Sequence, residues 1–134
     1  MPLDIAPFVR AIDRLAEGLA RHQREPHDEQ VRDGLIQRFE YTYELSHRML
    51  RRFIRETAAS PETVDQMAFQ DLIRTANQQG LLRSDWPAWH RYRDLRARTS
   101  SAYQAAAAEA VAAAIPGFLL EARHLCDEPQ RRLT

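Results

Sequence analysis

Residues 28–57 read DEQVRDGLIQRFEYTYELSHRMLRRFIRET, and this stretch decides the fold. When successive residues are placed about 100° apart, as in an α-helix, its large apolar side chains fall on one face. The side chains of that face are Leu35, Ile36, Phe39, Tyr43, Leu50, Phe53 and Ile54. The pattern therefore predicts one long amphipathic helix that buries this face against other elements.

The same helical periodicity covers most of the remaining chain, and the alternation typical of strands is almost absent. Capping and breaking residues predict helices at residues 4–24, 28–57, 61–79, 85–98 and 101–126. Pro116 and Gly117 are expected to kink or interrupt the last helix. Short connections between these helices predict an all-α, antiparallel up-and-down bundle of four to five helices.

The length of the chain predicts a single domain at residues 1–126, followed by a polar C-terminal tail at 127–134. The 134 residues contain 19 acidic and 19 basic side chains, and every basic one is arginine. A net charge of zero argues against a bulk polycation that binds nucleic acid through its overall charge.

A single cysteine, Cys126, excludes a disulfide framework and a CxxC metal site, and it fits a reducing cytoplasm. The N-terminal residues do not resemble a signal peptide, and the apolar stretch 105–120 is mostly alanine, so we expect no membrane span. The sequence has no Walker loop, no GxGxxG and no histidine pair at metal spacing, so we expect neither a metal nor a cofactor.

A polar stripe runs along the helix predicted at residues 28–57. It consists of Asp33, Gln37, Glu40 and Glu44, which are spaced four, three and four residues apart. Three acids in one row could bind a metal, bind a basic partner, or pair with arginines of a neighbouring helix. A face that is solvated or paired with arginines is favoured over a metal site, because the Glu-x-x-His pairs of di-metal bundles are absent.

A basic segment at residues 91–98 has a local charge of +3, since it carries four arginines against Asp94. The arginines are Arg91, Arg93, Arg96 and Arg98. Arginines beside aromatic rings are typical of sites that hold phosphates and stacked bases. Positive charge is also favoured at the C-terminal end of any helix, so both interpretations stay open.

The stretch Val31–Leu45, VRDGLIQRFEYTYEL, resembles the signature of HEPN-type nucleotidyltransferase substrate-binding proteins, which read RDGxIQRFEFTxEL there. Residues 69–82 and Trp89 also resemble this family, so the resemblance covers nearly the whole chain. It implies a helical bundle that forms a homodimer and has a small nucleotidyltransferase as its partner. It further implies a toxin–antitoxin-type pair, in which the helical member is a metal-independent ribonuclease and the nucleotidyltransferase in some pairs attaches AMP to a tyrosine.

The catalytic segment of that family reads D-x-R-N-x-T-S-H-x-Y, and residues 94–103 here read DLRARTSSAY. The resemblance implies that Arg96 is the catalytic arginine and that Tyr103 is the acceptor of AMP. Two positions depart from the pattern, because Ala97 replaces the asparagine and Ser101 replaces the histidine. A serine hydroxyl does not exchange protons near neutral pH as an imidazole does.

Three interpretations of function follow from this departure. The chain is the helical partner of a minimal nucleotidyltransferase with a degenerate ribonuclease motif, or an active ribonuclease that uses Arg96, or a module that presents a separate substrate. In each, Arg91, Arg93 and Arg98 are candidate contacts for RNA or nucleotide. Asp33, Gln37, Glu40, Glu44 and Asp94 are candidate supports for the site.

Overall fold

The computed structural model describes residues 4–99 and 104–133, and the helical periodicity of the sequence is realised throughout these two ranges. They form helices α1 (Ala6–Arg24), α2 (Glu29–Thr57), α3 (Pro61–Asp65), α4 (Phe69–Gln78), α5 (Trp86–Arg98) and α6 (Ala105–Leu133). No strand occurs in these ranges, so the predicted all-α class is confirmed. The described helices number six rather than four or five, because one predicted helix is divided and α3 is short.

Neighbouring helices of the bundle run antiparallel. The Arg38 guanidinium of α2 donates to the Arg14 carbonyl at 2.7 Å, and one turn later the Thr42 hydroxyl donates to the Ala11 carbonyl at 3.4 Å. Moving up α2 from Arg38 to Thr42 thus means moving down α1 from Arg14 to Ala11, so the two helices are antiparallel. In the same way, α5 runs against α6, since Trp89 meets Glu121 and Tyr92 meets the ring of Phe118.

Aspartate side chains begin the two helices that form the candidate site. The Asp28 carboxylate accepts hydrogen bonds from the Gln30 and Val31 amides, at 2.9 and 3.1 Å, and caps the start of α2. The Asp85 carboxylate accepts one from the Trp86 amide at 2.7 Å at the start of α5. The predicted starts of these two helices are thereby confirmed.

An aromatic cluster lies where α2, α5 and α6 meet. Phe118 of α6 lies at its centre, with ring centroids 5.1 Å from Phe39, 6.2 Å from Tyr43, 6.0 Å from Trp89 and 5.3 Å from Tyr92. Trp89, Phe39 and Phe118 are completely buried. The cluster joins α5 to the two long helices and so fixes the position of the basic segment.

The helix predicted at residues 61–79 is divided between Asp65 and Phe69, so the prediction of one continuous helix is wrong. The Arg51 guanidinium donates to the Val64 carbonyl at 2.7 Å and to the Met67 carbonyl at 3.2 Å. The Val64 carbonyl also accepts from the Met67 amide at 3.1 Å, so Arg51 reinforces the turn that separates the two helices.

Helix α6 is longer than predicted, and the expected helix end near Cys126 is wrong. It continues through Pro116 without an interruption and ends at Leu133. The last turns are stabilised within the helix and from outside it, because Gln130 donates to the Cys126 carbonyl and Arg132 donates to the Gln79 carbonyl. Most of the segment predicted as a polar tail is therefore helical.

Within the described ranges, α6 is the one helix whose length and apolar composition would suffice to cross a membrane. Its apolar side packs against α1, α2 and α5, and it carries the buried carboxylate of Glu121. We interpret α6 as the central helix of the bundle.

Candidate functional site

Arg96 in the last turn of α5 is held in place by two side chains. Its Nε donates to Oε1 of Glu44 at 3.1 Å, and its Nη1 donates to the Thr99 hydroxyl at 3.3 Å. That hydroxyl in turn donates to the Arg96 carbonyl at 2.7 Å. About a third of the Arg96 side chain, 34%, remains exposed. The guanidinium is thus oriented by its neighbours while part of it stays open to an anionic ligand.

The polar stripe of α2 lies beside this arginine. Glu44 pairs with Arg96, which confirms the interpretation that the stripe meets an arginine of a neighbouring helix. Asp33, Gln37 and Glu40 line a groove of about 520 Å³ together with Thr99. Over residues 4–99 and 104–133, no three histidine, cysteine or acidic side chains are grouped to hold a metal ion.

The other arginines of the basic segment spread over the surface of α5. Arg91, Arg93 and Arg98 are exposed, and the Arg93 guanidinium lies 5.6 Å from the centre of the Phe69 ring. Asp94 faces His90, with 3.8 Å between Oδ2 and Nδ1. Glu44, rather than Asp94, is the acid that positions Arg96.

The predicted sites at Ser101 and Tyr103 lie outside the described residues. In sequence they follow Thr99 by two and four positions.

Two titratable side chains beneath the site are shifted by burial. Burial raises the pKa of Tyr43 to about 12, an effect that the positive charges of Arg93 and Arg96 oppose. Burial lowers the pKa of His47, and the neighbouring Arg51 lowers it further. At neutral pH Tyr43 is therefore a neutral phenol and His47 a neutral imidazole.

Sequence reasoning missed His47 as part of this region. It lies one turn beyond Glu44 on α2, and its ring centroid is 4.5 Å from that of Phe69. The helical register of the sequence could have indicated this position, because His47 and Arg48 follow Glu44 by three and four residues and so extend the polar stripe.

Sequence reasoning also missed Glu121, which is 1% exposed in the apolar side of α6. Its Oε1 accepts hydrogen bonds from the Ser84 amide at 3.0 Å and from the Trp89 indole at 3.2 Å. One carboxylate thus ties the start of α5 to α6. A lone acid three residues after Phe118 and four before Leu125 was the signal in the sequence.

Replacing Glu121 with alanine is expected to lower the free energy of unfolding by about 2–4 kcal/mol, because two donors then lose their acceptor inside the fold. Glu121→Gln keeps a carbonyl oxygen at this position and should cost less than half as much. Urea denaturation of both variants measures the difference. Equal losses for the two variants would show that the hydrogen bonds are not what Glu121 contributes.

Three comparisons with known proteins agree with this architecture. Residues 3–131 match the family described as "Nucleotidyltransferase substrate binding protein like". A relative named probable ribonuclease HepT, from Haemophilus influenzae, is 37% identical over 99 residues, which are 74% of this chain and 67% of that protein. A solved structure from the same species, described as the fold of a substrate-binding domain of a nucleotidyltransferase, has a TM-score of 0.86 at 29% identity and covers 92% of this chain and 97% of its own. The chain therefore belongs to the HEPN-type nucleotidyltransferase substrate-binding family, as its Val31–Leu45 stretch indicated.

Proposed function

We propose that this protein is the helical, toxin-like partner of a minimal nucleotidyltransferase in a toxin–antitoxin-type pair, and that its ribonuclease motif is degenerate. The observation that carries the proposal is the Arg96 guanidinium, which Glu44 and Thr99 hold partly exposed at the end of α5. The family match supports the nucleotidyltransferase as partner. The proposal includes a cytoplasmic homodimer, in which two copies of the basic segment form one cleft.

The expected chemistry explains why the motif is called degenerate. In metal-independent RNA cleavage, the 2′-hydroxyl loses a proton and attacks the phosphorus, and the 5′-oxygen leaves with a proton. Arg96 can neutralise the phosphate, which is often the larger contribution to catalysis. Ser101 supplies no group that titrates near pH 7, so we expect RNA binding to persist and cleavage to be lost.

Tyr103 is proposed as the acceptor of AMP from the partner. Its phenol oxygen would attack the α-phosphorus of ATP, pyrophosphate would leave, and the phenol proton would pass to solvent or to a base of the nucleotidyltransferase. The product carries a phosphodiester, whose negative charge would attract the basic segment that includes Arg96 and Arg98. Modification would thus place a negative charge where an RNA phosphate is expected to bind.

The Tyr103→Phe variant is expected to lose labelling when the protein is incubated with its nucleotidyltransferase and ATP labelled in the α-phosphate. Tyr41→Phe is the matched control, because Tyr41 is 60% exposed and its loss should leave labelling unchanged. Intact-protein mass spectrometry reads the addition of AMP directly. Labelling that persists in Tyr103→Phe would remove Tyr103 from the proposal.

A second candidate function is an active, metal-independent ribonuclease that uses Arg96. The name of the Haemophilus influenzae relative, probable ribonuclease HepT, favours it. So does the position of Arg96, since a fixed and partly exposed guanidinium suits a phosphate. The two functions differ in whether the wild-type chain cuts RNA in the presence of EDTA.

A further inference from the structure

A groove between α1 and α2 contains three arginines that the Arg96 site does not use. Arg10 and Arg14 of α1 and Arg38 of α2 line it, and its volume is about 520 Å³. We call it the α1–α2 groove and define it by these arginines together with Tyr41. Gln37 lines both this groove and the groove beside Thr99, so the two adjoin along α2.

The positive charge of the α1–α2 groove is not neutralised by ion pairs. In the described part of the chain, the ion pairs between arginines and acids do not involve Arg10, Arg14 or Arg38. Glu17 also lines the groove, so its lining carries three positive charges against one negative charge. Guanidinium groups gathered without paired carboxylates repel one another, and an anion between them relieves that repulsion.

Arg38 is oriented within the groove by main chain rather than by an acid. Its Nη1 donates to the Arg14 carbonyl at 2.7 Å. Gly18 permits this approach, since a Cβ there would lie 3.2 Å from Arg38 Cδ and Nη1. A neutral carbonyl fixes the guanidinium but leaves its full positive charge available to a ligand.

Tyr41 adds an aromatic surface to these charges. Its side chain is 60% exposed, whereas the rings of Phe39 and Tyr43 on the same helix are buried. An exposed ring beside arginines is the combination that binds a nucleotide, because the base stacks on the ring and the phosphate meets the guanidinium groups. An acidic protein surface would also pair with the arginines and pack on the ring, so capture of the nucleotidyltransferase is kept as an outcome of the test that would overturn the proposal.

We propose that the α1–α2 groove binds one nucleotide unit of single-stranded RNA, with Arg10, Arg14 and Arg38 at the phosphate and Tyr41 against the base. This adds a binding site beyond the Arg96 site. It requires neither cleavage by the chain nor modification by a partner.

The test is the fluorescence anisotropy of a short fluorescein-labelled oligoadenylate, titrated with the protein at several salt concentrations. Arg10→Gln and Arg14→Gln should each weaken binding, and the two changes together should reduce the slope of log K against log [salt] by about 0.7, the value for one phosphate of a single strand. Tyr41→Ala should weaken binding about five- to 150-fold. Tyr41→Phe should bind as tightly as the wild type, because it keeps the aromatic ring.

Arg74→Gln is the matched control, since Arg74 is an exposed arginine on α4 and does not line the groove. Arg74→Gln changes the net charge by the same amount but away from the groove. The slope of log K against log [salt] should therefore stay close to that of the wild type. Excess unlabelled AMP should displace the labelled oligoadenylate from the groove, because AMP carries the one base and the one phosphate that the groove is proposed to hold.

Four results would overturn the proposal. They are no binding by the wild type, equal effects of Arg74→Gln and the groove variants, no displacement of the oligoadenylate by excess AMP, and loss of nucleotidyltransferase capture by the arginine variants with unchanged RNA binding. The last result would assign the groove to the partner protein. The proposed function is read from cleavage and from labelling of Tyr103, so the two proposals can fail separately.

Discussion

The Ser101→His variant is expected to cleave single-stranded RNA about 10²–10⁴-fold faster than the wild type in EDTA, the usual contribution of a positioned general acid–base. The reason is that Arg96 is already oriented by Glu44 and Thr99, so the site lacks a proton-transfer group rather than its phosphate contact. Discontinuous assays with a labelled oligonucleotide give the rate.

Two controls separate a restored site from a contaminating nuclease. Ser101→Gln has hydrogen-bonding groups but no group that titrates near neutral pH, so it should gain no activity. The double variant Ser101→His/Arg96→Ala should cleave RNA about a hundredfold or more slowly than Ser101→His alone. The gained activity should also change with pH around 6.5, where a free imidazole titrates. If Ser101→His folds normally and stays inactive, Ser101 does not stand where a catalytic histidine would act.

The Phe118→Ala variant is expected to lower the free energy of unfolding by about 3–5 kcal/mol. Phe118 is completely buried and contacts aromatic rings from both α2 and α5. Truncation therefore removes apolar contacts and leaves a cavity that three rigid helices cannot readily close. Guanidinium denaturation, followed by far-ultraviolet circular dichroism, measures the loss.

Leu120→Ala is the matched control for this prediction. Leu120 lies two residues further along α6 and is 51% exposed, so its truncation should cost less than about 0.5 kcal/mol. A loss below 1 kcal/mol for Phe118→Ala would contradict the description of the aromatic cluster as the joint between α5 and the long helices.

The features that the sequence predicted well are those that depend on helical periodicity and on helix caps. The apolar face of residues 28–57 is the buried face of α2, apart from the half-buried Phe53, and Asp28 caps that helix. The spacing of the polar stripe favoured a face that is solvated or paired with arginines, and the ion pair of Glu44 with Arg96 confirms the arginine-paired form at that one position. Both predictions rest on local geometry that a single helix already contains.

The features that sequence reasoning missed depend on contacts between distant residues. The break between α3 and α4 is stabilised by Arg51, which lies 13 residues before Val64. Glu121 reaches Trp89 across 32 residues, and Arg132 secures the end of α6 by bonding a carbonyl 53 positions earlier. No periodic pattern encodes such pairings, because they arise only when the helices pack together.

The most direct test of the account is whether the purified wild-type chain cuts single-stranded RNA in EDTA, compared with Arg96→Ala prepared in the same way. The account predicts that the wild type cuts no faster than the Arg96→Ala background, because Ser101 provides no proton transfer near pH 7. Cleavage by the wild type that disappears in Arg96→Ala would contradict it. The chain would then be a working ribonuclease that does not need a histidine at position 101.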